Sequence, residues 1–496
     1  MTHDRRQFLH AALAAPAVLH SALGAPEPDE PPAGWPKSPF LAGNFFPVHE
    51  ETVADDLKVV GAIPKELDGL FVRNGPNPRF APKGNYHWFD GDGMLHAVRL
   101  SGGKASYQNR YVRTKGFEEE KKAGKALYTG FLDKPDMKRV LAGEYPFKNA
   151  ANTSLTWHAG VLLAQWEGGD PHAVRVPKLE TVGPHTFGGK LKHAWSAHPK
   201  IDPATGEMVG FGYDVKPPFA SFSVVNAKGE LTRTAAVELK RATMMHDFAL
   251  TANYLIFPEQ PETFDLKRAI AGQPPWYFDP KSPTRFGLVP RAGDGKTLWF
   301  EAEPGFFFHT LSAFEDGGAV ILHACRFPRF PDELGFGGDS ADKKDKVANK
   351  PVLYRWKFDL KAGTVKEGPA DDATTEFPRI NEAFTGRKHR YGYAGEEGGD
   401  LFDGYRKFDL ERGTAERHAL GEGRTGGEVV FIPRPTAKAE DDGWLVTFVF
   451  DKPSGKSELL VIAAADFTAK PLARVTIPTR VPYGFHATWV PGDKLG

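Results

Sequence analysis

Short runs of apolar or alternating residues, each closed by turn chemistry, dominate the chain. HAGVLLAQWEGGD, MVGFGYDV, FASFSVVNAKGELTRTAAVEL, NYLIFPE, GGAVILHACRF and WLVTFVFDKPSGKSELLVIAAADF are examples. Such runs read as strands joined by tight turns. VVNAKGELTR, KFDLKAGTVK and KFDLERGTAE repeat one shape, a strand, an Asn- or Asp-led turn with glycine, and a second strand. Helical periodicity is sparse; the candidates are Lys134 to Gly143 and Phe117 to Tyr128. Hairpins repeated over hundreds of residues point to a β-propeller, whose blades pack only on their neighbours. A pair of large β-sandwiches is the structural competitor. The charged stretch Asp339 to Lys350 reads as a solvated loop.

Composition changes this picture little. At 496 residues the chain can bury a large core, and 53 Gly with 41 Pro suit a protein full of turns. Lys+Arg and Asp+Glu are both 63, so no basic excess points to nucleic acid. The single Cys325 excludes an intramolecular disulfide and any multi-cysteine metal site. No run of about 18 apolar residues predicts a transmembrane segment.

The N-terminus adds an address. Arg5-Arg6, then Phe8-Leu9 and a small-residue run ending near Ala22 and Gly24, predicts a twin-arginine signal over residues 1–24 and a periplasmic protein. A Pro-rich linker follows over 25–40, and one propeller domain is expected over 41–496.

Four of the 17 histidines stand out. His198 in SAHPKIDPATGE, His246 in MMHDFALT, His309 in GFFFHTLSAFEDGG and His486 in VPYGFHATWV each sit in or beside an apolar strand. An unpaired imidazole buried there costs free energy. Taken singly, each reads more readily as a core histidine with a hydrogen-bond partner than as a ligand. Their wide spacing is no local metal motif, yet it suits one ligand from each of several blades meeting on an axis.

The chain resembles the carotenoid cleavage oxygenases. FVRNGPNP, YHWFDGDGMLHAVRL, RYVRT, NTSLTWHAGVLLAQWEGGDPHAV, AHPKIDPATGEM, MHDFALT, FFHTLSAFEDG, EFPRIN and PYGFHATW look like that family's landmarks, in its order, from about Leu57 onward. The resemblance implies an all-β fold, a seven-bladed propeller with a helical and loop cap over an axial metal site. It implies His198, His246, His309 and His486 as Fe(II) ligands and catalytic centre, with Glu167, Glu376 and Glu428 supporting them from behind. Outer carboxylates of this kind fix the tautomer and orientation of ligand imidazoles. The implied reaction is oxidative cleavage of a conjugated C=C bond by O2, giving two carbonyl products from a carotenoid or apocarotenoid. The protein's part is to position one double bond and exclude water.

Trp166, Phe306, Phe307, Phe308 and Phe485 neighbour these residues in sequence and are candidates to line an apolar tunnel. Family members that cleave phenolic stilbenes hold the phenol with a Lys and a Tyr, the Lys near the position of Trp166. A Trp there leans toward a carotenoid substrate; Lys115 and Lys192 are the alternative cations. Ser312 stands where many relatives have Asn, which predicts a modest local change. A peripheral membrane contact is expected at Phe131 to Phe147 or Pro274 to Pro280. The rival functions are a stilbene-cleaving dioxygenase, an isomerase on the same scaffold, a non-catalytic periplasmic ligand-binding propeller, and a zinc or copper hydrolase. A binding module would not need all four His and three Glu, and no nucleophile or base is in view for a hydrolase.

Overall fold

The computed structural model describes residues 33–133, 136, 138–139, 147–271, 273–293, 295–331, 349–398 and 401–495. The expected signal over 1–24 and the helical candidate at Lys134 to Gly143, apart from a few positions, lie outside the described residues. So does most of the charged stretch before Lys350. The second helical candidate is a helix, Lys115–Ala123, started by the Thr114 hydroxyl accepting from Phe117 N–H and ended by Gly124.

Among the described residues the other regular elements are almost all antiparallel strands, with the short helix Leu266–Ile270 and a few single helical turns. The repeated hairpins form as the sequence predicts. Asn226, Asp359 and Asp409 each accept a backbone N–H within the turn, and Gly229, Gly363 and Gly413 follow at φ 82°, 68° and 65°. Only glycine takes that backbone shape without steric cost.

Among the described residues the strands form six antiparallel sheets. Four have four or five strands: one built on Gly69–Pro76, Gly93–Ser101 and Lys104–Tyr111, then one each within Ser154–Pro184, Lys200–Val237 and Ala249–Ala302; a fifth is the hairpin Glu262–Phe264 with Trp276–Phe278. A longer sheet holds three further strand groups. Phe306–Asp316 leads the first of them, and Thr364–Arg379 runs from that group into the next. Val430–Pro433, Gly443–Asp451, Lys456–Ala463 and Ala473–Thr476 make the last.

The apolar core fills the spaces between neighbouring groups, and following it returns to the start. Val72 and Leu95 pack on Leu162 and Ala164; Leu163 packs on Trp195 and Met208. Phe211 and Phe222 pack on Phe248 and Phe257, and Ile256 and Phe286 on Phe307 and Trp356. Leu311 and Leu353 pack on Ala394 and Phe408, and Tyr393 and Tyr405 on Leu445 and Leu460. Finally Trp444 and Val461 pack on Phe71 and Val98. The result is a closed ring, a β-propeller, with each side chain of this kind worth about 1.5–3 kcal/mol when buried.

Both chain ends close the ring. The C-terminal strand Ala487–Pro491 pairs with Gly69–Pro76, and the N-terminal Val59–Gly61 pairs with Ala473–Thr476. Sheet edges that would otherwise be open are used up in this way.

Candidate metal centre

The strand groups around the ring each deliver one residue toward a common point. His198 and His246 lie just before the edge strands Lys200–Ile201 and Ala249–Leu250. His309 lies in the edge strand Phe306–Asp316, and His486 just before Ala487–Pro491. Glu167 follows Val161–Gln165, Glu376 lies where Thr364–Arg379 passes between two groups, and Glu428 precedes Val430–Pro433. Residues hundreds of positions apart meet because the ring brings every edge to its axis.

One ring nitrogen from each of the four histidines lies within 4.8 Å of the other three. The Glu167, Glu376 and Glu428 carboxylates take the Nδ1 atoms of His246, His309 and His486 at 2.7, 2.7 and 2.9 Å. That leaves Nε2 to face inward, and Nε2 of His198 and His246 are 2.9 Å apart. His309 Nε2 is buried and has no hydrogen-bond partner among the described residues. Metal–nitrogen bonds of about 2.0–2.1 Å put adjacent donors about 3 Å apart and opposite donors about 4 Å apart. The donor set therefore fits one metal ion held by four imidazoles. Among the described residues, His198 alone of the four has no carboxylate partner.

Charge is arranged to suit such an ion. Burial and the neighbouring imidazoles hold His198 and His309 well below the usual histidine range, so both are neutral and ready to donate a lone pair. Burial disfavours charged His246, but Glu167 outweighs it and raises the imidazole. The three carboxylates differ. Burial opposes ionisation of Glu428, but Arg379, His486 and the Ala487 N–H bring it down to about 2. Burial likewise opposes Glu167, and His246 with the Tyr213 hydroxyl, 2.5 Å away, lowers it. Burial pushes Glu376 up to about 8, only partly countered by the Phe377 N–H and the His246 and His486 imidazoles. A dication at the cluster would favour its ionised form.

Several supporting residues carry no sequence signal of their own. Phe377 has φ 53°, unusual for a bulky residue and more so before a proline. Its ring is wedged against His309 and His486, with centroids 5.1 and 4.8 Å away. Asn74, in FVRNGPNP, exchanges backbone hydrogen bonds with Phe485 and His486, while its amide donates to Ala151 and Ser154 carbonyls. Gly484 lies so close to the Arg73 guanidinium that a Cβ would overlap it. Ser312 contacts His389 Nε2 at 3.0 Å, away from the four imidazoles.

A cavity of about 480 Å³ reaches His246 and Glu167 from one side. Phe80, Phe89, Phe131, Trp166, Met244 and Phe308 supply apolar wall, and Phe308 stands edge-on to the His246 ring at 5.3 Å. Of the tunnel candidates, Trp166 and Phe308 are therefore placed on the cavity. Phe307 is not: it points into the core between two sheets, against Phe286 and Trp356. Simple alternation would put Phe307 on the same face as His309, two residues on, but the pairing slips between Phe307 and Thr310, so the two do not share a direction. Phe485 is one layer back, packed on Trp88 and Phe89. Phe306 packs behind Phe308 with Phe327 and Phe330. Lys192 lines the cavity; Lys115 is an exposed residue at the start of its helix and does not. A second cavity of about 400 Å³ meets His198, His309 and His486 from the other side and is walled by Lys200, Asp247, Thr310, Arg379 and Glu428 among others.

The sequence matches the family model described as retinal pigment epithelial membrane protein over residues 45–491. It is 38% identical to carotenoid 9,10(9',10')-cleavage dioxygenase 1 of Arabidopsis thaliana, covering 92% of this chain and 90% of that one. It is 34% identical to the carotenoid cleavage oxygenase of Mycobacterium tuberculosis, covering 92% and 98%. The chain belongs to the carotenoid cleavage oxygenase family. It is accordingly a non-haem dioxygenase that cleaves carbon–carbon double bonds. Solved oxygenases of the family share its shape. The lignostilbene dioxygenase of Pseudomonas brassicacearum superposes with a TM-score of 0.84 at 30% identity, covering 93% of this chain and all of that one. The cobalt-substituted apocarotenoid oxygenase of Synechocystis gives 0.79 at 31%, covering 90% and 97%.

Proposed function

We propose that this oxygenase binds Fe(II) through His198, His246, His309 and His486 and uses O2 to cleave one double bond of a carotenoid or apocarotenoid. Fe(II) held by imidazoles alone would supply O2 activation beside the substrate. The chain's own residues do the rest. Glu167, Glu376 and Glu428 orient the imidazoles and balance charge at a distance. Phe89, Trp166, Met244 and Phe308 offer a polyene apolar contact, exclude water, and hold one bond against the His246 side of the centre.

The observation that carries the substrate class is Trp166. It lies beside Glu167 on the cavity wall, where a phenol-binding oxygenase needs a cation. A stilbene-cleaving role is the second reading. It is favoured by Lys192 on the same wall, by the hydroxyl-bearing Tyr86, Tyr128 and Tyr213 there, and by the shape shared with the lignostilbene enzyme.

Uptake from a membrane surface suits such a substrate. Leu266 and Ile270, in the helix Leu266–Ile270, are 61% and 79% exposed. They join the hairpin strands Glu262–Phe264 and Trp276–Phe278, and Phe278 packs against the cluster containing Phe308. Phe131 and Phe147, at the ends of the other expected contact segment, both line the cavity. Among the described residues no helix is long and apolar enough to cross a membrane. The Arg5-Arg6 pair supports export by the twin-arginine route to the periplasm.

The test is to load the purified protein with Fe(II) without oxygen, then add O2 and a β-apocarotenal, a C40 carotenoid, or a phenolic stilbene. Paired apocarotenoid carbonyl products, absent with His486→Ala, are expected by mass spectrometry. Aromatic aldehydes from the stilbene alone would move the enzyme to the second reading.

A further inference from the structure

We infer that Asp247 is a positioning residue that sets the spacing of three of the four histidines. It sits next to His246 and is 1% exposed. Its Oδ2 accepts from Thr310 N–H at 2.9 Å and lies 2.7 Å from the Thr310 hydroxyl, and Thr310 follows His309. Its Oδ1 accepts from Phe248 N–H at 2.8 Å and lies 2.7 Å from Lys200 Nζ, two residues beyond His198. One carboxylate thus joins the chain segments that carry His198, His246 and His309.

The chemistry of the surroundings selects a carboxylate. All four groups around it are donors: two backbone N–H groups, a hydroxyl and an ammonium. An ionised carboxylate has two oxygens with about four lone-pair sites and no hydrogen to clash. An asparagine of the same shape would aim its NH2 at donors on one side. Burying the charge is costly unless it is paired and fully hydrogen-bonded, and here Lys200 and the three other donors meet that condition. Only Phe248 is a local partner. Thr310 is 63 residues away in sequence and Lys200 comes from a third sheet, so the group is more than a turn-forming aspartate. Glu167, Glu376 and Glu428 each orient one imidazole, whereas Asp247 touches none of the rings and fixes the distances between the backbones that carry them.

This rests on the four-histidine metal reading. The test is Co(II) binding to the metal-free full-length protein, read as a dissociation constant and as the visible ligand-field spectrum. Asp247→Asn is expected to lose about 10–100-fold in Co(II) affinity and to change the spectrum. Thr310→Val, nearly isosteric and keeping its N–H, should shift both in the same direction by less. The double variant should bind no more weakly than Asp247→Asn alone, because both remove one shared contact. Wild-type affinity and spectrum in both single variants would overturn the inference, as would fully additive losses. If Asp247→Asn yields no folded protein, Thr310→Val and Lys200→Met decide. A shifted spectrum in them supports the clamp, and unchanged Co(II) affinity and spectrum reject it. A wild-type Co(II) spectrum that survives His486→Ala would instead mean that the metal reading itself has failed.

Discussion

At the scale of single residues, three histidines are held by carboxylates of different strength. Glu428 is fixed by Arg379, His486 and a backbone N–H, whereas Glu376 leaves Oε1 buried without a partner among the described residues. Glu376→Gln and Glu428→Gln should each lower metal affinity about 10–100-fold, measured by competition with a chelator. The Glu428 variant should also lose protein stability, because it removes the buried charge that pairs with Arg379 and accepts from Ala487 N–H, leaving Arg379 only Glu382 and the Ala487 carbonyl; the Glu376 variant should not. Equal melting-temperature losses in the two would contradict this. None of these roles was legible in the residues alone. A glutamate at a strand end normally reads as a solvated charge, and only the family resemblance gave Glu167, Glu376 and Glu428 meaning. Asp247 and Asn74 stood inside recognised motifs, yet their partners come from other sheets, which no one-dimensional spacing reveals.

Elements explain both the successes and the misses. Hairpins were legible because Asn or Asp with a following glycine states its turn locally. The direction of a side chain was not, because it depends on register. In Phe306–Asp316 the pairing slips between Phe307 and Thr310 and again before Ser312, so alternation cannot be carried through His309. The consequence is testable within one strand. Phe307→Ala opens a hole between two sheets and should cost about 3–5 kcal/mol of stability in denaturant titration, with substrate KM little changed. Phe308→Ala widens the cavity beside His246 and should change KM or the position of the cut. A large KM effect from Phe307→Ala with intact stability would mean that the strand sits in the other register.

For the whole molecule, the ring accounts for a fold that repeat counting alone left open. No blade signature marks the sequence, since each blade's identity lies in how it packs on two neighbours and not in a shared motif. Ring closure also buries polar groups far from the axis, and these make stability depend on pH. Burial holds His172 down to about 4, and burial with His389 and Arg355 holds His323 down to about 3. Both are neutral in the folded chain. Once unfolded, each takes up a proton below about pH 6.5. Between 6.5 and the folded values the unfolded state binds more protons, so stability is fully present above about 6.5 and falls as pH drops toward 4 and 3. His172 and His323 should each contribute a loss on the order of 3–5 kcal/mol over that range. Near pH 5 each should have lost about 2 kcal/mol of this, which denaturant titration of the metal-free protein at pH 7.5 and pH 5 would measure. His323→Leu should be less sensitive to acid than the wild type, narrowing or reversing any deficit it shows at neutral pH. A variant that tracks the wild type in parallel at both pH values would show that His323 already binds its proton in the folded state.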